Sequence, residues 1–179
     1  MKEIEVKAKI ASPAAIKAKL EALGCEFSAP ISQDDTVYLP QPLTLGNVGL
    51  GTVSLRIRRQ GDKNILTLKK VLGNGLDKLE HEIVFNEPEQ AMAMLAALDF
   101  HEVSHTVKTR QKCQYNGMEI CLDEVEDLGS FIEAEKLTAD EDSAKVQAEL
   151  FAFLQSLGVA EADRVFKGYD ILLFEQNKL

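Results

Sequence analysis

Long hydrophobic runs are missing from this chain of 179 residues. No apolar stretch approaches the roughly 20 residues that a membrane-spanning helix needs. The first residues are charged from Lys2 onward, which does not read as a secretory leader. The expectation is a cytoplasmic protein with no membrane partner. Cysteine is scarce: Cys25, Cys113 and Cys121 make an odd count without metal-type spacing. Cys113 and Cys121 flank Asn116-Gly117 and could face each other across a hairpin, and the plainer reading is reduced cysteines in strands. Basic residues are outnumbered, 20 Lys and Arg against 29 Asp and Glu, for a formal charge of -9. That balance argues against a general nucleic-acid surface. Repeats, low-complexity stretches and linkers are also lacking, so one domain over 1–179 is expected.

What is present is ordinary globular composition, 45% apolar and 27% charged, with strong periodicity. In residues 2–10, Ile4, Val6, Ala8 and Ile10 fall on one face of a strand and Glu3, Glu5, Lys7 and Lys9 on the other. Ser12-Pro13 reads as a helix start and Gly24 as its stop, giving a helix over 13–23. A strand and a turn fall within 25–39. Pro40, Pro42, Gly46, Gly49 and Gly51 mark 40–52 as a loop, either a plain connection or a substrate flap. Strands are expected at 53–60, 65–71 and 78–85, with a glycine-rich turn at 73–75. A helix follows over 86–98. Strands near 102–115 and 118–125 are joined by Asn116-Gly117, a strong hairpin signal. A short strand covers 130–136. Thr138 then caps a helix over 139–157, Gly158 ends it, and a last helix covers 168–177. Helices between antiparallel hairpins make an α+β protein. A sheet of about eight strands is expected to curl or close.

Strand after strand, one face carries charge of both signs. The acids are Glu3, Glu5, Glu80, Glu82, Asp123, Glu133 and Glu135. The bases are Lys7, Lys9, Arg56, Arg58, Lys69, Lys78, Lys108, Arg110 and Lys112. Such a face is either the wet side of an open sheet or the inside of a barrel. Buried charge is costly without compensation. A polyphosphate with a divalent cation supplies it, because Arg and Lys hold phosphate oxygens and carboxylates hold hard cations. Alternation alone does not choose between these two readings.

A series of motifs resembles one family. Glu3-Ile4-Glu5-Val6-Lys7 is similar to the Glu-x-Glu-x-Lys signature of the CYTH family, the triphosphate tunnel metalloenzymes. Leu55-Arg56-Ile57-Arg58, Leu66-Thr67-Leu68-Lys69, Lys78-Leu79-Glu80-His81-Glu82 and Val107-Lys108-Thr109-Arg110 resemble its successive charged strands. Leu122-Asp123-Glu124-Val125 and Leu128-Gly129-Ser130-Phe131-Ile132-Glu133-Ala134-Glu135 resemble its late acidic pair. The C-terminal Lys167-Gly168-Tyr169-Asp170-Ile171-Leu172-Leu173 departs from the family's Ser-Tyr-x-x-Leu-Leu in having glycine at the serine position.

The resemblance implies a closed eight-stranded antiparallel β-barrel with flanking helices and a charged interior. It implies Mg²⁺ or Mn²⁺ on Glu3, Glu5, Glu133 and Glu135, with Asp123 as a further ligand. Lys7, Arg56, Arg58, Lys69, Lys108 and Arg110 would grip the triphosphate and serve catalysis, with Lys9 and Lys78 as further substrate contacts. The implied substrate is a small-molecule triphosphate: ATP, thiamine triphosphate or tripolyphosphate. The motifs stand closest to the class IV adenylyl cyclase-like branch, which makes cyclic AMP and pyrophosphate. An inorganic or thiamine triphosphatase is the alternative, and a non-catalytic polyphosphate-binding module a third class. A homodimer is compatible with all three. Lys167 or Arg164 could close over the phosphates, and Tyr169 reads as helix packing. Gly46-x-x-Gly49-x-Gly51 has no lysine and no following helix, so it makes a poor nucleotide motif.

Overall fold

The computed structural model describes residues 2–73, 76–139 and 142–176. Its first strand, β1 (Lys2–Lys9), shows why the sheet closes. Ile4, Val6 and Ala8 are fully buried on its outer face, beneath helices, while Glu5 and Lys7 are buried on its inner face. Period-two alternation has put apolar residues outside and charge inside. A strand buried on both sides needs neighbours along both edges, and β1 finds them far along the chain.

The strands are β2 (Ile31–Pro40), β3 (Val53–Gln60), β4 (Lys63–Val71), β5 (Asp77–Phe85), β6 (Phe100–Tyr115), β7 (Met118–Val125), β8 (Gly129–Thr138) and β9 (Arg164–Val165). Their order across the sheet is β5-β4-β3-β2-β6-β7-β8-β1-β9, and β5 also pairs β1. That last pairing, Lys2 to Leu79 and Ile4 to Asp77, closes eight antiparallel strands into a barrel. Where β5 leaves the edge of β1, β9 takes it over, pairing Lys7 with Val165 and Ala8 with Arg164. The ladder between β2 and β6 carries a bulge between Val37 and Tyr38, where the register shifts; beyond it Thr106, Lys108 and Arg110 share the inner face by the strand's ordinary alternation.

Four helices flank the barrel: α1 (Pro13–Ala22), α2 (Pro88–Ala97), α3 (Ser143–Ser156) and α4 (Tyr169–Gln176). The largest apolar core lies between the outer face of β1, β7 and β8 and helices α1 and α3, with Leu20, Leu150, Leu154, Ile120 and Ile132 at its centre. A second cluster packs α2 through Leu95 against Tyr38 and Ile57. Helix α4 lies beside a third, in which Tyr169 meets Val125 and Phe131.

Several local signals read as expected. Ser12 Oγ accepts from the Ala15 N–H at 3.3 Å and Pro13 opens α1. Asn116 and Gly117 both adopt positive φ, as the two-residue hairpin turn requires. Other expectations need correction. Thr138 ends β8 instead of capping a helix, and α3 starts at Ser143, where the Asp142 carboxylate accepts from the N–H groups of Ala144 and Lys145. An Asx cap in the last polar residue before the apolar stripe beats a threonine that the sheet already uses. Cys113 and Cys121 do not face each other: Cys121 stands opposite Lys112 and Cys113 opposite Ile120. Adjacent register positions point to opposite faces, and all three cysteines are buried free thiols. The two-residue β9 was too short for any alternation to register. The glycine-rich turn expected at 73–75 lies partly outside the described residues, as does the last position of the helix expected over 168–177. Among the described residues, no helix is long and apolar enough to cross a membrane.

Because the core is outside the barrel, truncating the helix face that covers it opens a cavity. Leu154→Ala should lower unfolding stability by about 2–5 kcal/mol, and Asp142→Ala by about 1 kcal/mol. Both are read as shifts in the denaturant midpoint.

Candidate active site

The inner faces of β1 to β6 and of β8 enclose a cavity of about 740 Å³. Its lining is divided by chemistry. On β2, going inward from the 41–52 loop, the inward residues are Leu39, Val37, Asp35 and Gln33; on β3 they are Ser54, Arg56, Arg58 and Gln60. The loop supplies Leu45, Val48 and Leu50, and the segment before α4 supplies Phe166. The loop also leans on α4, since a Cβ on Gly46 would sit 3.5 Å from the Phe174 ring. One end of the cavity is therefore an apolar mouth, and charge begins behind it. The 40–52 segment is more than a connection: its side chains are part of the wall.

The cationic wall comes from β3, β4 and β6, with Asp35 of β2 among its bases. Arg58 donates through Nε and Nη2 to the two Asp35 oxygens at 2.6 and 2.7 Å, a bidentate pair. Burial works to raise the Asp35 pKa, but the Arg58 hydrogen bonds and the charges of Arg56 and Arg58 bring it down to about 2. Arg56 donates to Thr67 Oγ1 at 3.0 Å and lies 3.7 Å from Glu82. Lys69 is bound to Glu80. Burial, followed by the Arg56 and Lys78 charges, pulls the Lys69 pKa below its ordinary value. Lys108 lies 3.4 Å from Asp123; burial and the neighbouring Arg110 guanidinium push its pKa down to about 8 despite that carboxylate. These buried bases crowd one another, and an anion between them would relieve the repulsion.

The acidic wall comes from β1, β7 and β8. Cross-strand register puts Glu5 opposite Glu135 and Lys7 opposite Glu133, and Glu119 opposite Glu135. Arg110 binds both Asp123 and Glu133. Lys7 reaches Glu133 at 2.9 Å. The Tyr169 hydroxyl donates to Asp123 Oδ2 at 2.9 Å, and its ring sits 4.0 Å from the Lys7 ammonium and 4.9 Å from that of Lys108. Burial, then the Glu133 and Asp123 charges, raise the Tyr169 pKa well above its ordinary value, so the phenol stays a donor.

Asp123 and Glu133, both expected as metal ligands, are thus occupied by Arg110, Lys7, Lys108 and Tyr169. The other three expected ligands come together: carboxylate oxygens of Glu3, Glu5 and Glu135 lie within 4.8 Å of one another. Burial first, then the charges of Glu80 and Glu5, raise Glu3 to about 7 against the pull of Lys69. Burial, with Glu3 and Glu133, raises Glu135 to about 9. Three convergent carboxylates, two of them with ionisation held back by burial and neighbouring charge, fit a hard divalent cation, which would compensate that charge. Glu119, Cys121 and Glu135 form a second such group.

Of the expected substrate contacts, Lys7, Arg56, Arg58, Lys69, Lys78, Lys108 and Arg110 all line the cavity. Lys9 does not join them. It is exposed, with its ammonium 5.9 Å from the Phe131 ring. Arg164 is stacked on Phe151 and Phe166 at 4.4 and 4.8 Å, while Lys167 lines the cavity and pairs with Glu175 at 2.7 Å. Tyr169 belongs to the site as well as to packing. Gln33, Asp35 and Gln60 line the wall without having been singled out. Strand β2 hid the first two because its outer face, Ser32, Asp34 and Thr36, is polar too, so no apolar alternation marked which side faced in.

The raised carboxyls set a pH dependence. Their ordinary pKa is 4.5, against about 7 for Glu3 and about 9 for Glu135 when folded. Between those limits the folded state holds more protons than the unfolded one, so stability falls as pH rises. Metal-free protein should therefore lose thermal stability from about pH 5 to about pH 8, above which Lys108, lowered to about 8, acts in the opposite direction. Added Mg²⁺ should restore it most strongly at the alkaline end, as checked by melting curves across pH with and without the ion.

The family model described as the CYTH domain matches residues 1–169. A Methanocaldococcus jannaschii protein whose name proposes an adenylate cyclase is 27% identical over 175 residues, covering 94% of this chain and 97% of the relative. The structure of the PH1819 protein from Pyrococcus horikoshii is similar at a TM-score of 0.80, with 29% identity over 97% of this chain and 99% of that one. HpAC1 from Hippeastrum, named for an adenylyl cyclase and described with a dominant triphosphatase activity, shares the fold at a TM-score of 0.64 and 20% identity, covering 99% of this chain and 96% of that one. With the family model spanning nearly its whole length, the chain belongs to the CYTH domain family.

Proposed function

We propose that this protein is a divalent-cation-dependent phosphoryl-transfer enzyme acting on an organic triphosphate. The observation that carries this reading is the pairing, inside one cavity, of a crowded cationic wall with a three-carboxylate cluster. Glu3, Glu5 and Glu135 would hold Mg²⁺ or Mn²⁺, which supplies Lewis-acid polarisation of phosphate oxygens. Arg56, Arg58, Lys69, Lys108 and Arg110 would bind the non-bridging oxygens and offset charge that builds on them during transfer. Asp35, Glu80, Asp123 and Glu133 hold those bases in place before the substrate arrives, so little reorganisation remains for the reaction. The walls exclude bulk water and strengthen each of these contacts.

The apolar mouth favours an esterified triphosphate over inorganic tripolyphosphate. A cavity of about 740 Å³ lies within the roughly 300–1,000 Å³ used for organic ligands. A bare polyphosphate would leave Leu45, Val48, Leu50 and Phe166 without a partner. Leu50 is 77% and Phe166 54% exposed, and a base or heterocycle would cover them.

Two attacks suit such a site. A ribose 3′-hydroxyl on the α-phosphorus yields cyclic AMP and pyrophosphate, as the name of the M. jannaschii relative proposes for that protein. Water on the terminal phosphorus yields orthophosphate, the activity described for the Hippeastrum protein. Product analysis of ATP, thiamine triphosphate and tripolyphosphate with Mg²⁺ or Mn²⁺ separates them. Glu5→Gln and Glu135→Gln should each lower turnover at least about 100-fold while the melting temperature holds; normal turnover in both would remove them as metal ligands. Phe166→Ala with Leu50→Ser should weaken binding of the organic triphosphate about 10-fold and leave that of tripolyphosphate unchanged, as measured by calorimetry.

A further inference from the structure

Gln33 is buried to 1% exposure on the inner face of β2. Its Nε2 donates to Gln60 Oε1 at 2.7 Å. Its own Oε1 is buried and has no hydrogen-bond partner among the described residues. A buried acceptor left unmet costs about 1–3 kcal/mol, so a donor belongs there in the working protein.

Two neighbouring cationic donors are engaged elsewhere. Lys108, the cross-strand neighbour of Gln33, leans to Asp123 and the Tyr169 ring. Arg58 is held by Asp35 through two hydrogen bonds. Phosphate oxygens accept and do not donate, so a polyphosphate in the tunnel cannot satisfy the amide oxygen either. What remains is an O–H brought with the substrate or beside it. The mouth lies where β2 ends and β3 begins, and Gln33 and Gln60 are the innermost residues of those same walls. An organic group seated in the mouth keeps its hydroxyls there. With that group in the mouth, the triphosphate would extend along the wall with its terminal phosphorus toward Gln33.

We infer that Gln33 holds and orients the water that attacks the terminal phosphorus, so that the reaction is hydrolysis of the triphosphate and not its cyclisation. This rests on the phosphoryl-transfer reading above. In the step, the water oxygen forms a bond to the terminal phosphorus while the bond from that phosphorus to the bridging oxygen breaks. The electron pair stays on the bridging oxygen of the diphosphate product, and both protons of the water leave on the released orthophosphate. Gln33 takes no proton, since an amide oxygen is a hydrogen-bond acceptor and too weak a base. It is a positioning residue, and Gln60 fixes its amide plane.

The test is a comparison of wild type with Gln33→Leu and the milder Gln60→Leu, using ATP and its β,γ-methylene analogue with Mg²⁺. Wild type run in ¹⁸O-water should place the label in orthophosphate. Gln33→Leu should lower kcat on the order of 100-fold, while the dissociation constant of the methylene analogue moves less than about threefold. Gln60→Leu should lower kcat about 10-fold with binding likewise kept. Should Gln33→Leu fail to fold, Gln60→Leu and the isotope result decide. The inference is overturned by cyclic AMP with pyrophosphate as products, by a kcat kept in both variants, or by binding lost in step with kcat. Wild type that neither binds the analogue nor turns over ATP overturns the enclosing reading instead.

Discussion

Arg110, bound at once by Asp123 and Glu133, is the contact on which the interior depends. A guanidinium enclosed by strands would be intolerable alone, and a single carboxylate would leave donors unmet. With two carboxylates it becomes a fixed strut joining β6, β7 and β8. Each carboxylate then reaches further: Glu133 to Lys7 on β1, Asp123 to Lys108 and Tyr169. The ion pairs form a chain that crosses from the first strand to the last helix. Replacing any member by a neutral residue would strand the charge of its neighbours. Such pairs add little net stability; the apolar cores on the outside of the barrel carry that burden.

The interior is unequal in how completely its charges are matched. Around Arg110 the matching is close. Toward Glu3, Glu5 and Glu135 acid gathers without enough base, and toward Arg56, Lys69 and Lys108 base gathers without enough acid. The two imbalances lie on facing walls and have opposite sign. A ligand that is an anion on one side and carries a cation on the other completes both, which is the electrostatic description of a metal–triphosphate complex.

Much of this was legible in the residues. In β1, Ile4, Val6 and Ala8 against Glu3, Glu5 and Lys7 gave both the strand and its two faces, because the two faces differ sharply in polarity. The same held for β3 and β8. Whether the charged face pointed in was not legible from alternation, since a wet face and a tunnel wall have the same period; the motif series supplied that. Gln33 and Asp35 were hidden by polar neighbours on both sides of β2. Tyr169 was hidden because a tyrosine opening an amphipathic helix reads as packing, and only the return of α4 to the barrel end brings its hydroxyl to Asp123. Asp123 and Glu133 carried the right chemistry for a metal, and what sequence could not give was their prior engagement by Arg110.

The pairing of β1 with β8 has a consequence for how the molecule is made. Lys2–Ile4 can meet β5, but Glu5–Lys9 have no sheet partner until Gly129–Thr138 are present, and the seam is completed only by Arg164–Val165. During synthesis the first strand must wait, half apolar and half charged, while most of the chain emerges. Its ladder closes a very long loop, which places the barrel among slow, high-contact-order folds. The alternating charges on β1 then act as gatekeepers, keeping an unpaired strand soluble until its neighbours arrive.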